Sequence, residues 1–287
     1  LANLGLQVPD TWGQLLALLP VLQSNNMSIG LTSGSMMDIY LYQLGGNIWR
    51  YTDNPEYAGA RIGLDTDIAY EAFTFVCSLY SDYSFPVSFN AANRFRTGEM
   101  PIIIGDYASF YNNLVVYATE LDGLWEFSSI PGTVRADGTY CYDAMAGVGA
   151  TVLLHGCRNL LAAWEFVQWQ TSASVQANYS NKMVALIGPS AKYESANINA
   201  LQDMSWTASE KKAINDQIRH LSSVVNYPGS YIYSRYQNFA FLAAVQKGAD
   251  PVDSLSIYID TINSEITRKR EEFGLKTLGA GEEPPEN

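Results

Sequence analysis

Histidine is nearly absent. The 287 residues hold two, His155 and His220, far apart and without HExxH spacing, so a histidine-based zinc site or a Ser/His/Asp triad has little to be built from. Cysteine is scarce as well. Cys77, Cys141 and Cys157 are an odd number with no CxxC or Cys/His ligand spacing, which reads as buried free thiols. A disulfide between Cys141 and Cys157 stays open, because both flank one expected strand. The run Ala146-Gly147-Val148-Gly149-Ala150 does not complete GxGxxG and no GxxxxGK[ST] occurs, so nothing points to a nucleotide or any other cofactor.

The longest apolar stretches, 146–154 and 239–245, fall well short of the roughly 20 residues that cross a bilayer. Basic residues are few, 17 against 29 acidic for a formal charge of −12, and they form no stripe. Such a chain repels phosphates and anionic headgroups, which disfavours nucleic acid and the membrane surface as partners. The chain opens on Leu1 without a basic n-region or an apolar signal core, so an export signal or lipid anchor is expected outside it.

Aromatic residues, by contrast, are plentiful: 19 Tyr and 6 Trp. They fall in groups, with Tyr40 and Tyr42, Tyr107 and Tyr111, Tyr140 and Tyr142, and Tyr231, Tyr233 and Tyr236. Rings with a polar edge stack on sugars and hydrogen-bond hydroxyls, although most of them must serve packing.

Hydrophobic residues make up 47% of the chain, enough for a large core in one or two domains. Thr11 with Gln14 fits a capping box opening an apolar helix, followed by a strand over 27–31, a polar loop Thr32-Ser33-Gly34-Ser35, and a helix over 36–44 stopped by Gly45-Gly46. Helical spacing continues over 66–82 and from 91 to Gly98. A buried strand over 100–104 then runs through Gly105-Asp106-Tyr107 into a helix over 108–118. A strand is expected over 124–130 and a long small-residue strand within 140–154. Helices follow over 159–170, 173–179, 207–221, 232–247 and 251–272. Strands interleaved with helices argue an α/β fold with a helical C-terminal section. The Gly, Pro and Glu of 279–287 bury too little to order themselves and read as a tail or linker.

Four stretches in this order resemble the extracellular solute-binding proteins of ABC importers, in the large family that includes maltodextrin-binding proteins. They are Gly5-Leu6-Gln7-Val8-Pro9-Asp10-Thr11-Trp12; the stretch 41–47 ending in Gly45-Gly46-Asn47; Phe95-Arg96-Thr97-Gly98-Glu99-Met100-Pro101-Ile102, similar to the signature before the strand that ends near the ligand; and 146–153 leading into 159–170. The resemblance implies a type II, venus-flytrap periplasmic-binding-protein fold, mostly its C-terminal lobe. Residues 1–140 and 190–275 would form that second lobe, 141–189 would be a crossing segment and remnant of the first, and 276–287 a tail. Family members begin with a further βαβ unit, which this chain lacks.

By the same resemblance, ligand contacts fall on Ser33 and Ser35, on Asp106 and Tyr107 after the signature strand, on Tyr142 and Asp143 at the crossing, and on Tyr233 and Arg235. Tyr107 takes a place often held by a sugar-stacking Trp. The implied function is capture of a small solute, a mono- or oligosaccharide, by hinge closure and its delivery to membrane permease subunits, at the cell surface or in the periplasm, without enzymatic chemistry. Three alternatives stand beside it. A binding protein of the same fold for peptides or another polar solute would use Arg235 against a carboxylate. A surface interaction module would have lost transport. A glycosidase would need Asp106 and Asp143 as a carboxylate pair, although capping competes for both residues.

Overall fold

The computed structural model describes residues 1–32, 36–147 and 149–285. Helix α1 (Trp12–Ala17) starts where the Thr11 hydroxyl accepts from the Gln14 amide at 3.2 Å. The Gln14 side chain returns to the Asp10 amide, one residue earlier than a capping box requires. The expected apolar helix is interrupted at Leu18 and resumes as α2 (Leu19–Ser24) with Pro20 in its first turn, where a missing N–H costs nothing.

Strand β1 (Ile29–Leu31) leads toward α3 (Met36–Gln43), and α4 (Asp67–Ser81) and α5 (Ala91–Arg96) return the chain to β2 (Ile102–Ile104). The two strands are parallel, with Ile29 opposite Ile102 and Leu31 opposite Ile104. Helix α4 is capped by Thr66 and buries Ala69, Ala72, Phe73, Val76 and Leu79, the stripe that its spacing predicts. After α6 (Tyr107–Tyr117) come the hairpin β3 (Thr133–Val134) with β4 (Tyr140–Cys141), then β5 (Ala144–Met145), α7 (Leu160–Thr171), α8 (Ala173–Ile187), α9 (Ile198–Asp203) and α10 (Ala208–Ile218). Strand β6 (Leu221–Ser222) pairs in parallel with β5. Helices α11 (Tyr231–Lys247), α12 (Pro251–Ser256) and α13 (Ile259–Glu272) close the fold. None of the helices among the described residues is long and apolar enough to cross a membrane.

Two expected strands are corrected. No strand forms over 124–130: Leu124 is exposed, and the Ile130 amide is taken by the Gln217 side chain at 2.8 Å instead of a neighbouring strand. Among the described residues the long strand within 140–154 reduces to β4 and β5: the last bond to β6 is that of the Ala146 amide to the Ser222 carbonyl, and Val152 and Leu154 lie exposed. The expected final helix divides into α12 and α13, and α9 was not anticipated. Cys141 and Cys157 are not bridged; all three thiols are free, and burial pushes that of Cys77 up to about 12.

The main core joins Trp12, β1, α3, α4, α11, α12 and α13. A second, aromatic cluster gathers Tyr111, Trp206, Leu201 and Ile214, with Tyr107, Trp125 and Phe127 against it. Arg270 is buried and donates to the carbonyls of Lys276, Ala58 and Glu56 at 2.6, 2.7 and 2.6 Å, tying α13 to the 55–58 turn. The segment expected as a tail lies along this same region as far as Pro285. Glu283 faces Arg50 and Arg61 at 3.5 and 3.4 Å, and the Pro285 carbonyl accepts from Thr52.

Candidate functional site

The ends of β1 and β2 are pressed together. The Thr32 amide donates to the Ile104 carbonyl at 2.8 Å, and the Thr32 hydroxyl lies 1.8 Å from where a β-carbon on Gly105 would be. Only glycine permits that approach. It sets Thr32, just after β1, beside Gly105, just after β2, at the carboxyl edge of parallel strands, a recurrent place for a binding crevice. Ser33 and Ser35 themselves lie outside the described residues.

Asp106 is exposed and its carboxylate accepts from the Ser109 amide at 2.9 Å, capping α6. Tyr107, expected to present a stacking face, turns inward. Its ring packs on Phe127 at 4.2 Å and on Trp206 at 5.7 Å, and its hydroxyl is buried with no partner among the described residues. Burial raises its pKa, and the nearby charges of Glu194 and Glu210 add to the effect. Behind it the Lys192 ammonium lies 4.6 Å from the Trp206 ring centre and pairs with Glu210 at 3.0 Å, so the aromatic cluster is braced by a buried cation.

At the start of α11, Arg235 is exposed. Tyr233 is not a free ligand group: it leans edge-on against Trp49 and bonds Asp38. Asp38, in the first turn of α3, was missed by sequence reasoning. It is only 5% exposed, accepts from the Gln237 amide at 3.3 Å and from Tyr233, and burial pushes its carboxyl up to about 6. This pins the helix that leaves the 33–35 loop to the helix that carries Arg235. An acid inside the apolar run Met36-Met37-Asp38-Ile39 was the signal available. Glu194, also missed, is pushed up to about 7 by burial and by Asp106.

Tyr142 and Asp143 sit elsewhere, at the other end of α3. The Asp143 carbonyl accepts from Gln43 at 3.1 Å and its carboxylate is 3.8 Å from His220 Nδ1. Tyr142 lies beside Tyr140 and His220, and its carbonyl accepts from Gln217. Helix α3 has eight residues, so about 12 Å separates this pair from the start of α3 at Met36. The structure thus brings Thr32 beside Gly105 and ties the first turn of α3 to α11, and holds 142–143 at the far end of α3.

No protein-family model matches the chain, and no curated protein matches it significantly. Solved structures do. The chain is similar to the sugar-binding protein MalE of Xanthomonas citri (13% identity, 96% of this chain and 68% of that one, TM-score 0.73). It is similar to the maltose-binding periplasmic protein MalE of Listeria monocytogenes, solved with maltose (16%, 92% and 68%, 0.68). A third match is an ABC-transporter solute-binding protein of Thermotoga lettingae bound to α-D-tagatose (14%, 92% and 67%, 0.65). The chain spans about two thirds of each. Its fold is therefore the α/β, type II periplasmic-binding-protein fold of ABC-transporter sugar-binding proteins, represented over about two thirds of their length.

Proposed function

We propose that this chain is the larger part of a solute-binding component of an ABC importer, which captures a carbohydrate by hinge closure and hands it to permease subunits. The observation that carries the reading is the meeting of β1 and β2 at Thr32 and Gly105, on a fold whose solved examples include proteins bound to maltose and tagatose. Closure needs no bond made or broken: a solute that touches both lobes favours the closed state by its differential affinity. With Asp106 occupied as a helix cap, a paired-carboxylate glycosidase reading loses one of its two acids. The protein would act outside the cytoplasm, held by a lipid anchor if it carries one.

Residues 1–140 and 190–275 make one lobe in this reading, 141–189 belong to the other, and 276–287 extend from the first. Helix α7 supports the division. Leu161, Trp164, Phe166 and Trp169 are all more than half exposed on a helix with no buried residue, and a helix apolar on all sides belongs inside a larger body.

A peptide ligand is the second reading, because exposed Arg235 offers a fork for a carboxylate. Calorimetric titration of the natural full-length protein with mono- and oligosaccharides and with short peptides separates the two. Saturable binding of one sugar class, weakened in Arg235→Ala by loss of hydrogen bonds, supports the first. Binding of peptides alone, lost when their C-terminus is amidated, replaces it with the second.

A further inference from the structure

A cavity of about 420 Å³ opens at the C-terminal end of α3, between the 47–59 loop and the segment leaving β6. That size lies within the range of small-molecule sites, roughly 300–1,000 Å³. Tyr42, Trp49, Tyr51 and Tyr227 supply rings, and Asn47 and Ser223 supply polar groups. Among the described residues, none of those expected to contact ligand lines it.

The walls are built rather than incidental. The Trp49 indole is held by its Nε1–H donating to the Val225 carbonyl at 3.0 Å, and Tyr227 meets it edge-on at 5.3 Å. Gly59, at φ +67°, allows the Tyr227 ring in: a β-carbon there would lie 2.0 Å from it. Asn47 Oδ1 accepts from the Tyr42 hydroxyl and from the Trp49 amide, which aligns the side chain and leaves its amide nitrogen to donate. Among the described residues the one charged side chain in the lining, Arg50, is already met by Asp65 at 2.9 Å and Glu283 at 3.5 Å. No net charge remains to select an ion. Rings with polar edges around hydroxyl and amide groups suit a neutral, ring-shaped, hydroxyl-rich molecule.

We propose that this cavity is a second saccharide site, separate from the crevice at Thr32 and Gly105 and beside the strand pair β5–β6. The choice of ligand class rests on the carbohydrate reading; the site itself does not.

The Trp49 indole N–H is a direct reporter. In ¹⁵N-labelled full-length protein, its resonance, assigned with Trp49→Phe, is followed during titration with glucose and with maltose. The expected result is a saturable shift of that resonance with one of the sugars. Ser223→Trp, which fills the cavity from an exposed position, abolishes the shift and leaves calorimetric binding in the crevice intact. Tyr51→Ala, at the exposed rim, weakens the apparent affinity roughly fivefold and serves if Ser223→Trp fails to fold. A resonance unmoved by either sugar overturns the site, and so does a shift that persists unchanged in both variants, which would be transmitted from the crevice. A Trp49 shift without crevice binding would instead sink the importer reading and leave this site standing.

Discussion

The Gln43 side-chain amide donates to the Asp143 carbonyl at 3.1 Å, joining the last residue of α3 to the start of the segment read as the passage between lobes. The same side chain donates to the Pro131 carbonyl at 3.1 Å and accepts from Trp12 Nε1 at 2.9 Å and the Thr133 hydroxyl at 2.6 Å. Gln43 is completely buried, and its four bonds fix where 143–145 leaves the lobe.

Gln43→Met keeps the volume and strands four partners, three of them buried. Each unsatisfied group costs about 1–3 kcal/mol, partly relieved by relaxation, so the loss of unfolding free energy is expected at about 3–5 kcal/mol. Urea denaturation of the full-length protein measures it. A loss below about 1 kcal/mol would show that water replaces the network.

Asp38 makes stability depend on pH in a particular direction. Its carboxyl is raised by burial from 3.8 to about 6 in the folded state, so the folded protein holds this proton more tightly than the unfolded chain. The contribution is fully present below pH 3.8 and is lost as pH rises through 6, a loss of roughly 3 kcal/mol by neutral pH. Asp38→Asn, which still accepts from Tyr233 or Gln237, is expected to gain stability relative to the parent between pH 4 and 7 and then level off. A difference that stays flat with pH would mean that Asp38 ionises as readily as an exposed acid.

Gly105→Ala sets a methyl against the Thr32 hydroxyl and is expected to part β1 from β2. Thermal melting should fall by the equivalent of at least about 2 kcal/mol, and the double variant with Thr32→Ala should recover part of it. An unchanged melting temperature would contradict the close approach.

If 141–189 belongs to the other lobe, Trp164 and Trp169 are covered in the natural full-length protein. Hydroxyl-radical footprinting followed by mass spectrometry should then find both protected, although they are 51% and 57% exposed in this chain. Heavy labelling of both would make α7 a free surface, as an interaction module requires.

Much of this fold could be read locally. Thr11 and Thr66 announce helix starts, and the stripe on α4 announces its buried face, because each signal needs only neighbours within one or two turns. The strand expected over 124–130 failed because β structure requires a partner and Gln217 took the Ile130 amide. The same limit governs the site. Gly105 stood out in position, but the inward turn of Tyr107 depends on Phe127 and Trp206, and the burial of Asp38 depends on Gln237, 199 residues away. Sequence located the segments; packing decided which side chains remain available to a ligand.

Small-angle X-ray scattering from the natural full-length protein, with and without the saccharide that binds it most tightly, measures closure itself. The expected result is a smaller radius of gyration at saturating sugar, and loss of that contraction in Arg235→Ala at the same concentration. Saturable sugar binding with an unchanged radius of gyration would contradict capture by hinge closure.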